Sequence, residues 1–374
     1  MRDDLPAPGT AGFFLGGFFM VRNAVALAGF LLAAVVFSGF AYAGGVGDAE
    51  KRVRALVESK ASSMDIGVAF IHVESGRSFF IERSKSYPLA SVYKLPVMLR
   101  VLRMAEEGRL SLTDMVEIRN MDLCIGSGDM RFAPVGSRYS VSHCLHEMMS
   151  VSDNTAADLL WNRYASEGFG GFLSSIGAAD TRVYIANRPS WLLSLGRYSG
   201  FRGMNGFEIA SAWSSMSRTE QAVAIAKVLD ENSRLTIAEF QRIEDESEEA
   251  GSYEADAVCA EALDNVGTPR DFARMLSDLY KGEILGGEMT GRALSYLASC
   301  KYNSRIPAGL PPKTRVWHKT GTICACVNDA GIIEFGEKSH GALAVFVRGV
   351  KKGGSREAAE SIASISRIIY ECFR

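Results

Sequence analysis

Cysteine and proline are scarce in this chain, and neither sign of charge predominates. The 374 residues include 7 cysteines and 10 prolines, and 41 basic residues stand against 43 acidic ones, for a formal net charge of −2. So few cysteines exclude the disulfide-dense scaffold of small secreted domains. The balanced charge argues against a whole-chain attraction to nucleic acid or to an acidic membrane surface. With 47% hydrophobic and 22% charged residues, the composition is that of a globular protein with a buried core.

One long apolar run stands near the N-terminus. Residues 24–43 carry no charge, follow Arg22 and end in Ala-Tyr-Ala, the small-x-small form of a signal-peptidase site. We therefore predict that residues 1–43 are a signal peptide, and that the rest of the chain is exported to the periplasm or the extracellular space. The alternative is a retained membrane anchor, since about twenty apolar residues suffice to span a bilayer. Met20 begins a conventional signal by itself, so residues 1–19 are either a mis-assigned start or a long n-region.

Beyond residue 43, strand patterns lie at the two ends of the chain and helix patterns lie between them. A hairpin is predicted around the turn at Gly76, and strand patterns return from Lys313 before a last amphipathic helix. This order predicts an α/β (α+β) fold, in which a sheet lobe built from both termini holds an inserted helical lobe. No internal repeat is evident. The predicted ranges are about 48–86 and 313–374 for the sheet lobe and about 88–312 for the helical lobe.

The first chemical motif is Ser91-Val92-Tyr93-Lys94, at the start of a predicted helix. This position would put Ser91 at the positive end of the helix dipole and Lys94 one turn away on the same face. A buried lysine loses its proton near neutral pH and can accept the serine proton, which turns a weak hydroxyl into a nucleophile. Because S-x-x-K also occurs by chance, this motif alone does not identify a site.

A second motif, Ser152-Asp153-Asn154, follows in a region predicted to be helical. We predict that the Ser152 hydroxyl relays a proton to a leaving nitrogen. Asn154 is predicted to orient Lys94 and to donate a hydrogen bond to a substrate amide.

A third motif, Lys319-Thr320-Gly321-Thr322, lies in a predicted strand near the C-terminus. Lys319 would offer a cation, and Thr320 and Thr322 hydroxyls, to a substrate carboxylate, while Gly321 would allow the strand backbone to approach closely. The backbone N–H groups of Ser91 and Thr322 are predicted to form an oxyanion hole.

These residues resemble the penicillin-recognising serine enzymes, and among them the class A β-lactamases most closely. SVYKLPV, VSDNTAADLL and HKTGT match that family's three motifs, and GSGDMRFAPVGSRYSV and VGTPRDFARMLSDLYKGEIL look like its helical-lobe segments. The resemblance covers roughly residues 48–374. It implies a two-lobed serine β-lactamase/transpeptidase-like fold, with an antiparallel sheet lobe flanked by helices, an all-helical lobe and the site between them. It also implies that a β-lactam, or the D-Ala-D-Ala end of a peptidoglycan stem, acylates Ser91 without a cofactor or a metal, and that the ester is then hydrolysed.

The main departure from the family is a missing carboxylate. Class A enzymes carry a Glu in an E-x-x-L-N pattern soon after the S-D-N motif, and this Glu activates the water that hydrolyses the ester. Residues 185–193 (IANRPSWLL) contain no carboxylate, and residues 261–265 (EALDN) are a misregistered near miss, so we transfer the role to neither stretch. Without a positioned base, hydrolysis of the ester should slow by roughly 10²–10⁴-fold.

The second departure is an expanded segment of about residues 187–265, which carries two tryptophans and the acidic run of residues 244–256. We expect an insertion that borders the site as a lid or forms an independent helical decoration. Glu208 is one candidate for the missing base. The acidic run is predicted to be a solvated loop or frayed helix end, with a partner-binding surface as the alternative.

Cysteine and histidine complete the inventory of reactive residues. Cys324 and Cys326 alternate on one strand and cannot bridge each other without distortion, so each either pairs elsewhere or stays a free thiol. His143 and His146 do not have the zinc-binding H-E-x-x-H spacing and are predicted to lie on a helix surface. His318 is predicted to be structural, on the strand face opposite Lys319.

Three functions remain open from the sequence. The first is a β-lactamase that hydrolyses its acyl-enzyme, and the second is a D-alanyl-D-alanine carboxypeptidase or related cell-wall acyl hydrolase with slow β-lactam release. The third is a non-catalytic β-lactam or cell-wall sensor that stays acylated. The expected partners are a small-molecule β-lactam or a peptidoglycan stem peptide, with no nucleic acid. Membrane contact is expected only if residues 24–43 are retained, and the protein is expected to be a monomer.

Overall fold

The computed structural model describes residues 45–81 and 86–374. The predicted signal peptide, residues 1–43, lies outside the described residues. Within the described ranges, no helix combines the length and the apolar character that crossing a bilayer would need.

A five-stranded antiparallel sheet contains strands from both ends of the described chain. The strand order is β2-β1-β9-β8-β7, so the N-terminal hairpin pairs directly with the last strand. This arrangement confirms the predicted sheet built from both termini. Its strands are β1 (Asp65–His72), β2 (Ser78–Ile81), β7 (Val316–Ile323), β8 (Cys326–Gly336) and β9 (Ser339–Arg348).

Both faces of this sheet are buried, because successive side chains on a strand point to opposite faces. On β9, Leu343, Val345 and Val347 pack with helices α1 (residues 45–60) and α13 (Ser355–Phe373) in one hydrophobic core. The alternate residues of β9 join a second core on the other face, which continues into the helical part of the molecule. The sheet therefore lies between two helical layers and forms a rigid support for the residues of β7.

The remaining elements lie between β2 and β7 and are mostly helical. Two short antiparallel pairs, β3 with β6 and β4 with β5, accompany them. The helices are α2 (Lys94–Glu106), α3 (Val141–Ser150), α4 (Asn154–Leu160), α5 (Phe169–Ser175), α6 (Asn187–Ser194), α7 (Gly206–Ser215), α8 (Arg218–Glu231), α9 (Ile237–Ala250), α10 (Tyr253–Leu263), α11 (Pro269–Tyr280) and α12 (Gly287–Ala298). The short strands are β3 (Tyr87–Pro88), β4 (Met115–Glu117), β5 (Arg138–Ser140) and β6 (Val266–Gly267).

The chain enters and leaves helices α6 to α10 through two neighbouring segments, residues 182–185 and 264–266, here called the neck. These helices also contact the rest of the fold directly, for example where Arg188 donates to the Leu123 carbonyl. At the neck, Arg182 and Val266 exchange two backbone hydrogen bonds of 2.7 and 3.0 Å. The buried Asn265 side chain accepts from the N–H groups of Tyr184 and Ile185 and donates to the Ile185 carbonyl. The helices share a third hydrophobic core, which also includes Cys124 and Ile125 from outside these helices.

Replacing the side-chain amide of Asn265 should weaken the hydrogen bonding at the neck and lower the stability of the protein. Asn265→Ala leaves two backbone N–H groups and one carbonyl without their partner in a buried place, and we expect a loss of about 2–3 kcal/mol in the free energy of unfolding. Urea denaturation would measure the loss. Ser233→Ala, at an exposed position between α8 and α9, is the control and should change the free energy by less than about 0.5 kcal/mol. An equal effect of the two substitutions would contradict the role of the neck.

Candidate active site

Ser91 lies in a tight turn before helix α2, in a 3-10 helix of residues Ala90–Tyr93. The sequence predicted the start of a helix here, and α2 itself begins at Lys94, one turn later. Ala90 has a φ of 45°, in the left-handed region that costs a residue with a side chain roughly 1–2 kcal/mol. Its N–H donates to Asp264 Oδ2 at 2.6 Å, which helps to hold the turn in this conformation.

Two lysine amines meet at the Ser152 hydroxyl. Lys94 Nζ lies 3.3 Å from Ser152 Oγ and donates to the Ser152 carbonyl at 2.6 Å. Lys319 Nζ donates to Ser152 Oγ at 3.0 Å, from the opposite side of the site. Ser152 also has a positive φ, 61°, in the turn between α3 and α4. The three sequence motifs are thus in contact through this serine and the two amines.

Both amines are buried, and burial changes their protonation. A charged amine loses its hydration in such a place, so its neutral form is favoured. Burial, reinforced by the positive charge of Lys319, lowers the pKa of Lys94 to about 7. Burial likewise lowers the pKa of Lys319 to about 8. Near neutral pH, Lys94 is therefore neutral in a large fraction of molecules, whereas Lys319 is mainly a cation.

Asn154 is held by both ends of its amide. Its Oδ1 accepts from Lys94 Nζ at 2.7 Å, and its Nδ2 donates to the Ile125 carbonyl at 2.8 Å. Asp153, between Ser152 and Asn154, caps helix α4 by accepting from the Ala156 N–H. The motif is therefore fixed at a helix N-terminus, with Asn154 Oδ1 in contact with Lys94 Nζ.

Strand β7 approaches the Ser91 turn at Gly321. A Cβ on Gly321 would lie 2.7 Å from the Leu89 carbonyl oxygen and 3.0 Å from the Ser91 nitrogen, so only glycine allows this separation. Thr320, the preceding residue, is buried, whereas Thr322 is exposed. The structure therefore brings the backbone of the third motif against the turn that contains Ser91.

Arg305 is a site residue that the sequence analysis missed. Its guanidinium donates to the Gly321 carbonyl at 2.8 Å and to the Thr322 hydroxyl. It precedes β7 in an irregular segment with no recognisable motif, and only the folded chain shows that it supports this strand. It places a further positive charge beside Thr322.

A cavity of about 560 Å³ opens beside Ser91. Asn154 and Thr322 line it near Ser91, and Trp191 of α6 lines it with its ring close to Gly126, where a Cβ would lie 2.9 Å from the ring. Part of the acidic run also lines this cavity. The other carboxylates of the run are exposed, as the predicted solvated loop or frayed helix end requires, although most of the run lies in helices α9 and α10. The carboxylates among the lining residues are Glu244, Glu248, Asp256 and Asp264.

The candidate base Glu208 is not in this cavity. It is exposed, and its carboxylate accepts from the Asn205 N–H in the capping box of α7. The prediction for Glu208 is therefore wrong, because a capping pattern and a catalytic carboxylate cannot be distinguished without the fold. Residues 185–187, 190 and 191 do line the cavity, and they contribute no carboxylate.

The other reactive residues lie outside the centre of the site. His143 and His146 are exposed on α3, as predicted, and no group of metal-ligating side chains occurs among the described residues. His318 is buried; although burial disfavours its charged form, the Asp329 carboxylate 3.0 Å from Nδ1 raises the pKa of His318 to about 10. All seven cysteines, which fall within the described ranges, are free thiols.

Comparisons with known proteins agree with this geometry. The model of the beta-lactamase enzyme family matches residues 48–373. Beta-lactamase PSE-4 from Pseudomonas aeruginosa is 28% identical over 135 residues, which are 36% of this chain and 46% of PSE-4. A beta-lactamase from Rhodobacter capsulatus is 24% identical over 200 residues, which are 52% of this chain and 65% of that protein. The match therefore spans less than half the length of PSE-4.

Solved structures show the same fold. A mutant of PBP-A, in an acyl-enzyme complex with penicillin G, superposes with a TM-score of 0.62 at 20% identity, covering 88% of this chain and 97% of that one. A beta-lactamase from Chitinophaga pinensis gives a TM-score of 0.63 at 20% identity, covering 87% and 99%. These similarities confirm the predicted α/β fold class.

Proposed function

The chain belongs to the beta-lactamase enzyme family, and from this membership we propose that it is an active-site serine hydrolase of the class A type, which opens β-lactams through an acyl-enzyme on Ser91. Family membership confirms the resemblance predicted from the three motifs. The observation that carries the proposed reaction is the position of Ser152 Oγ, 3.3 Å from Lys94 Nζ and 3.0 Å from Lys319 Nζ. A proton can therefore move between a base and a second hydroxyl beside the cavity that contains Ser91.

In the proposed acylation, neutral Lys94 takes the proton from Ser91, and Ser91 Oγ attacks the lactam carbonyl carbon. The carbonyl oxygen becomes negative and is stabilised by the backbone N–H groups of Ser91 and Thr322. The carbon–nitrogen bond then breaks, and the proton passes from Lys94 through the Ser152 hydroxyl to the leaving nitrogen. The product of this half-reaction is a Ser91 ester.

The substrate is oriented by its carboxylate. Lys319 supplies the cation, and Thr320 and Thr322 supply hydroxyls to bind the carboxylate. We assign Arg305 a positioning role, because it holds the Thr322 hydroxyl and the Gly321 carbonyl. Asn154 retains one amide N–H for the amide of the substrate's acyl side chain, since its other contacts are to Lys94 and to the Ile125 carbonyl.

A D-alanyl-D-alanine peptidase is the second candidate. The observation in its favour is that residues 185–191 bring no carboxylate to the cavity, which would leave a β-lactam ester long-lived. A stem peptide presents the same amide and carboxylate groups to Ser91 and Lys319, so acylation would follow the same steps.

One experiment separates these functions. Residues 44–374 would be mixed with a chromogenic cephalosporin and followed by absorbance and by intact-mass spectrometry, and D-alanine release from a stem peptide would be measured in parallel. Multiple turnovers with a transient adduct support the β-lactamase. A persistent adduct with D-alanine release supports the peptidase, and an adduct without either activity supports a sensor. If no adduct forms at all, the proposed function is wrong.

The rate of acylation should depend on pH with two limbs. It should rise through about pH 7 as Lys94 loses its proton and becomes a base, and it should fall above about pH 8 as Lys319 loses the charge that binds the carboxylate. The second-order rate constant for adduct formation, measured across this range, tests the prediction. The control is a substrate whose carboxylate is esterified. Its acylation rate should still rise through about pH 7, but it should no longer fall above about pH 8. A rate that does not change between these limits would contradict both assignments.

A further inference from the structure

Hydrolysis of a Ser91 ester needs a group that activates water, and four carboxylates line the cavity. Glu244 and Glu248 lie on α9 and Asp256 on α10, and none of these three has a hydrogen bond to the nucleophile turn among the described contacts. Asp264 differs from them. It follows the last residue of α10 and contacts the turn that contains Ser91.

The contact between Asp264 and this turn is direct. Asp264 Oδ2 accepts from the N–H of Ala90, the residue before Ser91, at 2.6 Å. The next residue, Asn265, accepts from the Leu89 N–H through its backbone carbonyl at 2.8 Å. Two consecutive residues of the neck therefore bind the two residues that precede Ser91, and the carboxylate is fixed relative to the nucleophile rather than carried on a mobile loop.

Another buried carboxylate near the site, Asp158, is already occupied. Its oxygens accept from the backbone N–H and the side-chain amide of Asn187 and from the backbone N–H of Arg188, at 2.7–2.8 Å. It is fully covered and does not line the cavity. Asp264 is partly exposed and is one of the residues that line the cavity.

We propose that Asp264 is the general base that activates the hydrolytic water in deacylation, in the place of the glutamate that class A enzymes use. This inference rests on the proposed function. The Asp264 carboxylate takes a proton from a water molecule, and the resulting hydroxide oxygen bonds to the ester carbonyl carbon. The bond from that carbon to Ser91 Oγ then breaks, and the proton held by Asp264 passes to Ser91 Oγ. The products are a carboxylic acid and the free serine.

The protonation of Asp264 suits this role. Burial raises the pKa of Asp264 to about 7, although backbone N–H groups, first that of Ala90, oppose the shift. A base whose pKa lies close to the working pH combines a useful ionised fraction with a strong pull on the proton.

The discriminating variant is Asp264→Asn. An amide has nearly the same shape, and its oxygen can still accept from the Ala90 N–H, but it cannot take a proton from water. We expect the acylation rate to stay within about threefold of the wild type and the deacylation rate to fall by roughly 10²–10⁴-fold. Intact-mass spectrometry should then show a persistent Ser91 adduct. Asp230→Asn, at an exposed position on α8, is the matched control and should turn over like the wild type.

Several outcomes would overturn the assignment. If Asp264→Asn deacylates at the wild-type rate, or if acylation and deacylation fall together, Asp264 is an anchor of the turn and not the base. If the variant does not fold, the pH dependence of deacylation in the wild type decides: a rate that does not rise through about pH 7 excludes a base with this pKa. Failure of the proposed function is a distinct result, because it is seen in the wild type itself, which would then form no adduct or would keep its adduct without releasing product.

Discussion

Ser91→Ala should abolish the covalent adduct and reduce turnover of a chromogenic cephalosporin by roughly 10⁴-fold or more, the scale expected when a nucleophile is removed. Alanine leaves the turn and its hydrogen bond from Ala90 to Asp264 in place, but it has no oxygen to attack the lactam. The two amines and Ser152 would remain in contact, so noncovalent binding should persist. Absorbance and intact mass would follow the reaction, and thermal unfolding would confirm that the variant is folded.

The control for this prediction is Ser233→Ala, which removes an exposed serine hydroxyl far from the motifs in sequence. It should turn over at the wild-type rate. The Ser91 assignment fails if an adduct still forms in Ser91→Ala, whichever of the three functions the wild type has. Peptide mapping of such an adduct would identify the residue that had reacted instead.

Lys94→Met should slow acylation by roughly 10²–10⁴-fold, the usual contribution of a general base. Methionine keeps the apolar stem of the side chain and loses the amine. Its loss leaves the Ser152 carbonyl and Asn154 Oδ1 without their donor, which costs about 1–3 kcal/mol. It also removes the cost of burying an amine whose charged form burial disfavours, so we expect only a small net change in the free energy of unfolding. The rate of the slow residual acylation should no longer rise through about pH 7 as it does in the wild type, because the titrating amine is gone.

Stopped-flow absorbance and denaturant unfolding would measure the two effects of Lys94→Met separately. Lys227→Met, on the exposed side of α8, is the matched control and should change neither. An acylation rate that stays within about threefold of the wild type would show that another group takes the Ser91 proton.

The sequence could predict the three motifs because each depends on local geometry. Ser91 and Lys94 are one turn apart, and Asp153 caps the helix that presents Asn154. The fold class could be predicted because strand patterns cluster at the two ends of the chain, and the sheet confirms it. Each motif and each strand is a short local pattern, so the spacing of residues within it carries the information.

The parts that could not be predicted depend on long-range contacts. Arg305 binds β7 from an irregular segment that shows no recognisable sequence motif. Asp264 accepts a hydrogen bond from Ala90, which lies 174 residues away in the sequence. Glu208 is an error of another kind. The sequence makes it a candidate for a catalytic role, but its local pattern is that of a helix cap, and in the structure it caps α7. Which carboxylate faces the cavity is decided by packing, and packing is not visible in spacing.

The neck has a consequence for the natural history of the fold. Since Arg182 and Val266 are hydrogen-bonded neighbours, the segment between them leaves and rejoins the rest of the fold at one place. The entropic cost of closing such an excursion of the chain grows only slowly with the number of residues in it. Helices can therefore be added between these two points at a small entropic cost, provided that contacts such as that of Arg188 with the Leu123 carbonyl are kept. Asp264 lies where this excursion rejoins the rest of the fold, so a change of length within the outer helices leaves its contact with Ala90 in place.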